Sequence, residues 1–175
     1  MTLLRTLAAL LLFSALPAGA SGPIAGPPPL HDQNGKQDSL EAHSGRPVVV
    51  LAVNGERLRQ LKGWEVELRE RFDGLDFIRV VDIPQQPGVQ PEGVARKLRD
   101  KLPKDVSVLI DMDGVWASIY DLERSDMNVV LFDREGRLVA RFAGKRDDAL
   151  IERISREIEA KLGVTRKPNA GQEKK

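Results

Sequence analysis

The stretch VLIDMDGVW, Val108 to Trp116, sets two aspartates two residues apart at the end of an apolar run, with a glycine just behind them. At the end of a strand, Asp111 could attack a phosphoryl group as nucleophile and Asp113 could serve as general acid and base. That chemistry also needs a magnesium ion and a cation to hold the phosphate. Lys145 and the pair Asp147 and Asp148 supply candidates farther along, and strand ends are where open α/β sheets bind ligands. The same letters have a plainer reading. A strand leaves its sheet at Asp111, Asp-x-Asp-Gly turns the chain, and Gly114 adopts positive φ without cost. Trp116 and Tyr120, four apart, then pack on a core face or its rim.

Other chemistry-bearing groups are sparse. His31 and His43 flank a polar segment containing Asp32, Asp38 and Glu41, but two histidines twelve apart across a turn lack the compact spacing of metal sites, so loop roles are expected. The chain has no cysteine. Thiol nucleophiles, disulfide exchange and sulfur-ligated zinc are therefore excluded for this chain acting alone. With 27 basic and 26 acidic residues, and no basic stripe interleaved with aromatics, nothing draws it to nucleic acid or an anionic membrane. No cofactor is called for.

The elements that must position these residues follow from punctuation and periodicity. Residues 1–20 carry one positive charge, an apolar run and an Ala18-Gly19-Ala20 exit, which reads as a secretory signal cut before Ser21, with an uncleaved anchor as the alternative. Residues 21–29, rich in Gly and Pro, read as a flexible linker. The domain is expected over 30–163 and a solvated, disordered tail over 164–175. Asn34-Gly35 marks a turn that Leu30 and Leu40 could anchor as a short hairpin. Val48 to Val53 is a β-branched run typical of a central strand buried on both faces.

A helix is expected over about 56–72, with Leu58, Leu61, Leu68 and Phe72 inward and the charges of KGWEVELRER on a solvated face. A strand over 76–83, a helix opened by Pro91 and closed by Pro103, and a strand over 106–111 follow. NVVLFDREGRLVARF forms a hairpin turning at Asp133 to Gly136. The last helix begins at the Asp147-Asp148 pair, carries Leu150, Ile151, Ile154, Ile158 and Leu162 inward, and stops at Gly163. The order is β-α-β-α-β and then β-β-α, an α/β sandwich with a mixed sheet.

Three stretches carry a resemblance. LHDQNGKQDSLEAHSGRPVVVLAV, VSVLIDMDGVWASIYDL and NVVLFDREGRLVARFAG are similar, in order and spacing, to the opening, the later strand and the closing hairpin of thioredoxin-like proteins of the redoxin branch, which holds peroxiredoxins and exported thiol-disulfide oxidoreductases. The resemblance spans about Leu30 to Leu162 and implies a three-layer thioredoxin-like sandwich. It withholds the activity. Where relatives carry Cys-x-x-Cys, this chain has Gly55-Glu56-Arg57-Leu58, and where they carry a cis-proline it has Ser125-Asp126-Met127-Asn128. Implied is an exported, non-catalytic binding or accessory module, with Gly55, Glu56, Leu58 and Met127 as the relic of a substrate face and a periplasmic protein as partner. That partner could be a cysteine-bearing redox protein, for which this chain would act as a recruiting subunit. VLIDMDGVW itself resembles the nucleophile strand of haloacid-dehalogenase phosphatases, which implies the magnesium-dependent alternative with Asp111, Asp113 and Lys145. In that family the strand typically opens the domain, whereas here about sixty residues remain after it.

Overall fold

The computed structural model describes residues 26–83 and 88–168; the expected signal segment lies outside them. The strands are β1 (Leu30–His31), β2 (Gln37–Asp38), β3 (Val48–Asn54), β4 (Asp76–Asp82), β5 (Leu109–Asp111), β6 (Asn128–Phe132) and β7 (Leu138–Ala143). The helices are α1 (Gln60–Arg71), α2 (Pro91–Lys101), α3 (Val115–Ile119) and α4 (Asp148–Glu157), the last continued by a π turn, Ile158–Leu162. Five strands form one mixed sheet in the order β5-β4-β3-β6-β7. β3, β4 and β5 run parallel, and β6 and β7 complete the sheet antiparallel.

β3 is central because every residue from Val48 to Val53 is buried, which alternation alone could not allow: one face of a strand must meet helices while the other meets a second layer. Val49, Leu51 and Val53 pack under α1, α2 and α4 with Leu61, Trp64, Leu68, Leu98, Ile151 and Ile154. Val48, Val50 and Ala52 face a second cluster built from Leu40, Ile78, Val80, Trp116, Tyr120 and Phe132. There Tyr120 meets Trp116 and Phe132 edge to face, with centroids at 5.6 and 5.1 Å, so the Trp116 and Tyr120 pair does serve a core face. The α/β sandwich and its element order are those expected from the sequence.

The N-terminal hairpin packs on the domain. Leu40 is buried, and Asp32 bridges to Leu109 of β5, so β1 covers that end of the sheet. Gln33 fastens it by donating to Val106 O and accepting from Val108 N at 3.0 Å. At the opposite end, β7 has no partner strand on its outer side among the described residues.

Two boundaries need correction. Pro27, assigned to the linker, is buried. The tail does not begin at 164: Val164 packs against the core, Arg166 forms a bridge with Phe72, and Lys167 N donates to Arg71 O at 2.8 Å. Arg166 also pairs with Glu152 and Glu159 at 3.0 and 3.1 Å. In sequence this looks like solvated charge; in space Arg166 finds carboxylates on α4 and its π turn, and Lys167 finds Asp73. No helix among the described residues is long and apolar enough to cross a membrane.

Candidate functional site

The parallel strands end in a row of polar residues held side by side by register. Asn54 pairs with Asp82, and Asp82 with Asp111. Each is the last residue of its strand, and each side chain projects on the α3 side of the sheet.

The two outer members of the row secure loops. Asn54 Oδ1 accepts from Glu56 N and Arg57 N, both at 3.1 Å, and its Nδ2 donates to Arg124 O at 2.9 Å. It thereby shapes the short 3-10 turn Gly55–Arg57 that leads into α1. Asp111 Oδ1 accepts from Val115 N at 3.0 Å and Oδ2 from Trp116 N at 2.8 Å. Both of its oxygens thus serve the start of α3.

Asp82, between them, has neither arrangement. It is 8% exposed, its oxygens make no hydrogen bond to a described residue, and it forms an ion pair with Arg124, whose Nε lies 3.3 Å from Oδ2 but is not aligned as a donor. Burial pushes its carboxyl above the usual range; Arg124 opposes and Asp111 reinforces the shift. The space beside it, about 10 Å³, is also lined by Trp116, whose indole N–H is buried with no partner among the described residues. That volume suits a single water. Gly114, at φ 64°, closes this corner, where a Cβ would collide with the Arg124 guanidinium.

The residues of the phosphatase alternative are not brought together. Asp113 is exposed beside the turn. Lys145 follows β7, four strands from β5 in the sheet order, which separates it from Asp111 by roughly 19 Å at ~4.8 Å per strand. Asp147 is the N-cap of α4, accepting from Leu150 N at 2.8 Å. The DMDG stretch is a strand end and helix start, with Gly114 in the left-handed region.

Of the relic face, Gly55, Glu56 and Leu58 lie together at the β3 to α1 turn, with Gly55 and Glu56 exposed. Gly55 abuts Ile83, just past β4, whose Cδ1 would stand 2.8 Å from a Cβ at 55, so a larger residue there would need the Ile83 side chain to shift. Met127 does not belong to this surface. It is 1% exposed and part of the core, because its carbonyl is tied to Gly144 N at 3.0 Å while its apolar side chain packs beneath the helices.

The turn opens into a cleft of about 960 Å³ between α1 and the α2 to β5 connection. Its floor carries a side chain that the sequence reading placed on a solvated helix face. Glu65 is 7% exposed and takes the Arg79 guanidinium through two contacts, Nε to Oε2 and Nη2 to Oε1, the latter at 2.6 Å. Arg69 Nε also donates to Glu65 Oε1 at 2.7 Å. Position 65 is four beyond Leu61 and three before Leu68, so it shares their inward stripe. That spacing was the available signal, masked by the run of charges around it.

The histidines take loop roles. His43 stands between two carboxylates, its ring nitrogens 2.5 Å from Asp76 Oδ2 and 3.2 Å from Asp38 Oδ1. His31 is exposed and Glu41 lies outside this pairing. Asp32 shapes the hairpin turn, accepting from Asn34 N and Lys36 N and from Ser107 Oγ at 2.8 Å; burial pushes its carboxyl up, and these hydrogen bonds outweigh it and hold the group below the usual range.

No family model and no curated protein matches this sequence. Solved structures do. The exposed lipoprotein thioredoxin of Streptococcus pneumoniae superposes with a TM-score of 0.58 at 21% identity, over 75% of this chain and 98% of its own. The DsbE-type thiol:disulfide interchange protein of Chlorobium tepidum gives 0.56 at 21%, over 79% and 96%. The N-terminal domain of PilB from Neisseria gonorrhoeae gives 0.56 at 16%, over 77% and 91%. The chain therefore has the thioredoxin fold. It is a version of that fold with no sulfur of cysteine anywhere in its sequence.

Proposed function

We propose that this chain is an exported, non-catalytic member of the thioredoxin-fold class that works by binding a partner protein at the Gly55–Leu58 turn. The observation that carries the reading is the turn itself: the strand-to-helix corner is built and capped by Asn54, it leaves Gly55 and Glu56 exposed, and it bears no cysteine. A redox enzyme stripped of its thiolates keeps only the recognition half of its task. Export is supported by the A-x-A exit of residues 1–20 and by the lipoprotein character of the pneumococcal neighbour.

The test is a photo-cross-linker placed at Glu56, with a control at Glu135 on the far hairpin, in a periplasmic extract. A saturable adduct at 56 that is absent at 135 and lost on Leu58→Asp supports the reading. Insulin reduction, peroxide consumption or vanadate-sensitive phosphate release by the pure protein overturns it, as does equal labelling at both positions. A partner that proves to carry a reactive thiol would make the chain a recruiting subunit of a redox pair.

A further inference from the structure

We propose that the cleft between α1 and the α2 to β5 connection binds a small organic monocarboxylate with an apolar body. The inference goes beyond the protein-binding reading and shares with it only the Gly55–Leu58 turn at one end of the cleft.

Size is the first argument. About 960 Å³ falls within the range of roughly 300–1,000 Å³ of small-molecule sites. Chemistry of the walls is the second. Leu58 from the turn and Leu61 and Val66 from α1 line the cleft together with Leu102, Val106 and Val108. Val66 is 43% exposed, one of three large apolar side chains left to solvent among the described residues, and it is the one that lines this cleft. A ligand with an apolar body covers it.

Charge is the third argument and selects an anion. On the floor a single carboxylate, Glu65, is shared by two guanidiniums, Arg69 and Arg79, so the cluster keeps one surplus positive charge, carried by the half-exposed Arg69. Arg79 is fully engaged, since its remaining terminal nitrogen donates to Ser107 O at 3.2 Å. Arg69 is not. Its Nε is fixed on Glu65 and its guanidinium lies 4.3 Å over the Phe77 ring, while its two terminal nitrogens donate to no described residue. An oriented fork of this kind matches a carboxylate. Around it, Lys62, Arg59 and Lys101 also line the cleft without an ion pair to a described residue, against Glu56 and Asp105 on the acidic side. The surplus is positive. One surplus charge at the cleft floor and apolar walls call for a monoanion with a hydrocarbon portion, rather than a cation or a neutral molecule.

Octanoate, octan-1-ol and octylammonium share a chain and differ in the head, so they separate the contributions. Titrated into the full chain and followed by amide NMR shifts, octanoate is expected to saturate one site and to move Val66, Arg69, Leu102 and Val106. The other two should bind at least about tenfold more weakly. Arg69→Gln is expected to cut octanoate affinity by about tenfold and leave octan-1-ol unchanged. Lys101→Gln, on an exposed side chain, gives a second charge variant that does not touch the Glu65 cluster, and a smaller loss is expected. Octylammonium binding as tightly as octanoate, shifts mapping elsewhere, or no saturation overturns the proposal. Failure of the Glu56 cross-link leaves these outcomes unchanged, and failure here leaves the cross-link unchanged.

Discussion

Asp82 and Asp111 are register partners at the ends of two neighbouring parallel strands, and their carboxylates meet opposite fates. Asp111 gives both oxygens to backbone N–H groups at the start of α3. Asp82 is buried with no such partner among the described residues. A position one strand over decides whether an aspartate stabilises the fold or costs it.

For Asp111 the expectation is a capping effect. Asp111→Ala should lower stability by about 1–2 kcal/mol, and Asp111→Asn, which keeps one acceptor oxygen, by less. Urea melts of the two variants check this. Neither change should alter the release of nitrophenol from its phosphate ester, which should equal the buffer blank throughout.

Asp82 should make stability fall with pH. Its folded carboxyl titrates above its unfolded value, chiefly through burial. Between those two values the folded chain holds a proton that the unfolded chain has released, so stability declines as pH rises through that window and the loss is complete above it. Asp82→Asn should therefore be more stable than the parent at neutral pH, and the gain should vanish below the usual carboxylate range. Unfolding midpoints measured across acid to neutral pH test the sign; a gain that grows toward acid would contradict it.

The Glu65 and Arg79 pair joins α1 to β4 under the cleft. Removing one partner strands the other charge in a buried place, so Glu65→Leu should cost about 3 kcal/mol. Glu65→Leu with Arg79→Met should recover much of that, because no unpaired charge remains. A double-mutant cycle by chemical denaturation gives the coupling, and additive losses would refute it.

Ending the chain at Gly163 should loosen the C-terminal end of α4. The truncation removes Val164 from the core and the Arg166 contacts to Glu152 and Glu159. A loss of about 1–2 kcal/mol is expected, most of it from apolar burial rather than from the partly exposed ion pairs. Thermal melts at low and high salt separate the two, since only the ionic share is screened.

The layout of the fold was readable because long apolar runs announce themselves. The stripe from Leu150 to Leu162 follows a helical period, and Val48 to Val53 and the NVVLFDREGRLVARF hairpin are short β-branched runs bounded by turn residues. What escaped was set by neighbours in space. Glu65 shares a face with Leu61 and Leu68, yet its burial depends on Arg79, fourteen residues on. Met127 enters the core because β6 begins where Ala52 needs a partner, which no local pattern records. Asp82 and Asp111 end their strands alike in sequence, and only the residues that follow, a helix start after Asp111 alone, tell them apart. Arg166 reads as a solvated charge until α4 brings Glu152 beside it.

The two margins of the sheet differ: the β1 hairpin bridges to β5 through Asp32 and Leu109, while β7 has no strand on its outer side among the described residues. Growth by strand addition can thus proceed in one direction only. Two molecules joined β7 to β7 would each use up the uncovered margin of the five-stranded sheet among the described residues, so self-association through that margin ends at a pair rather than running on into a fibre.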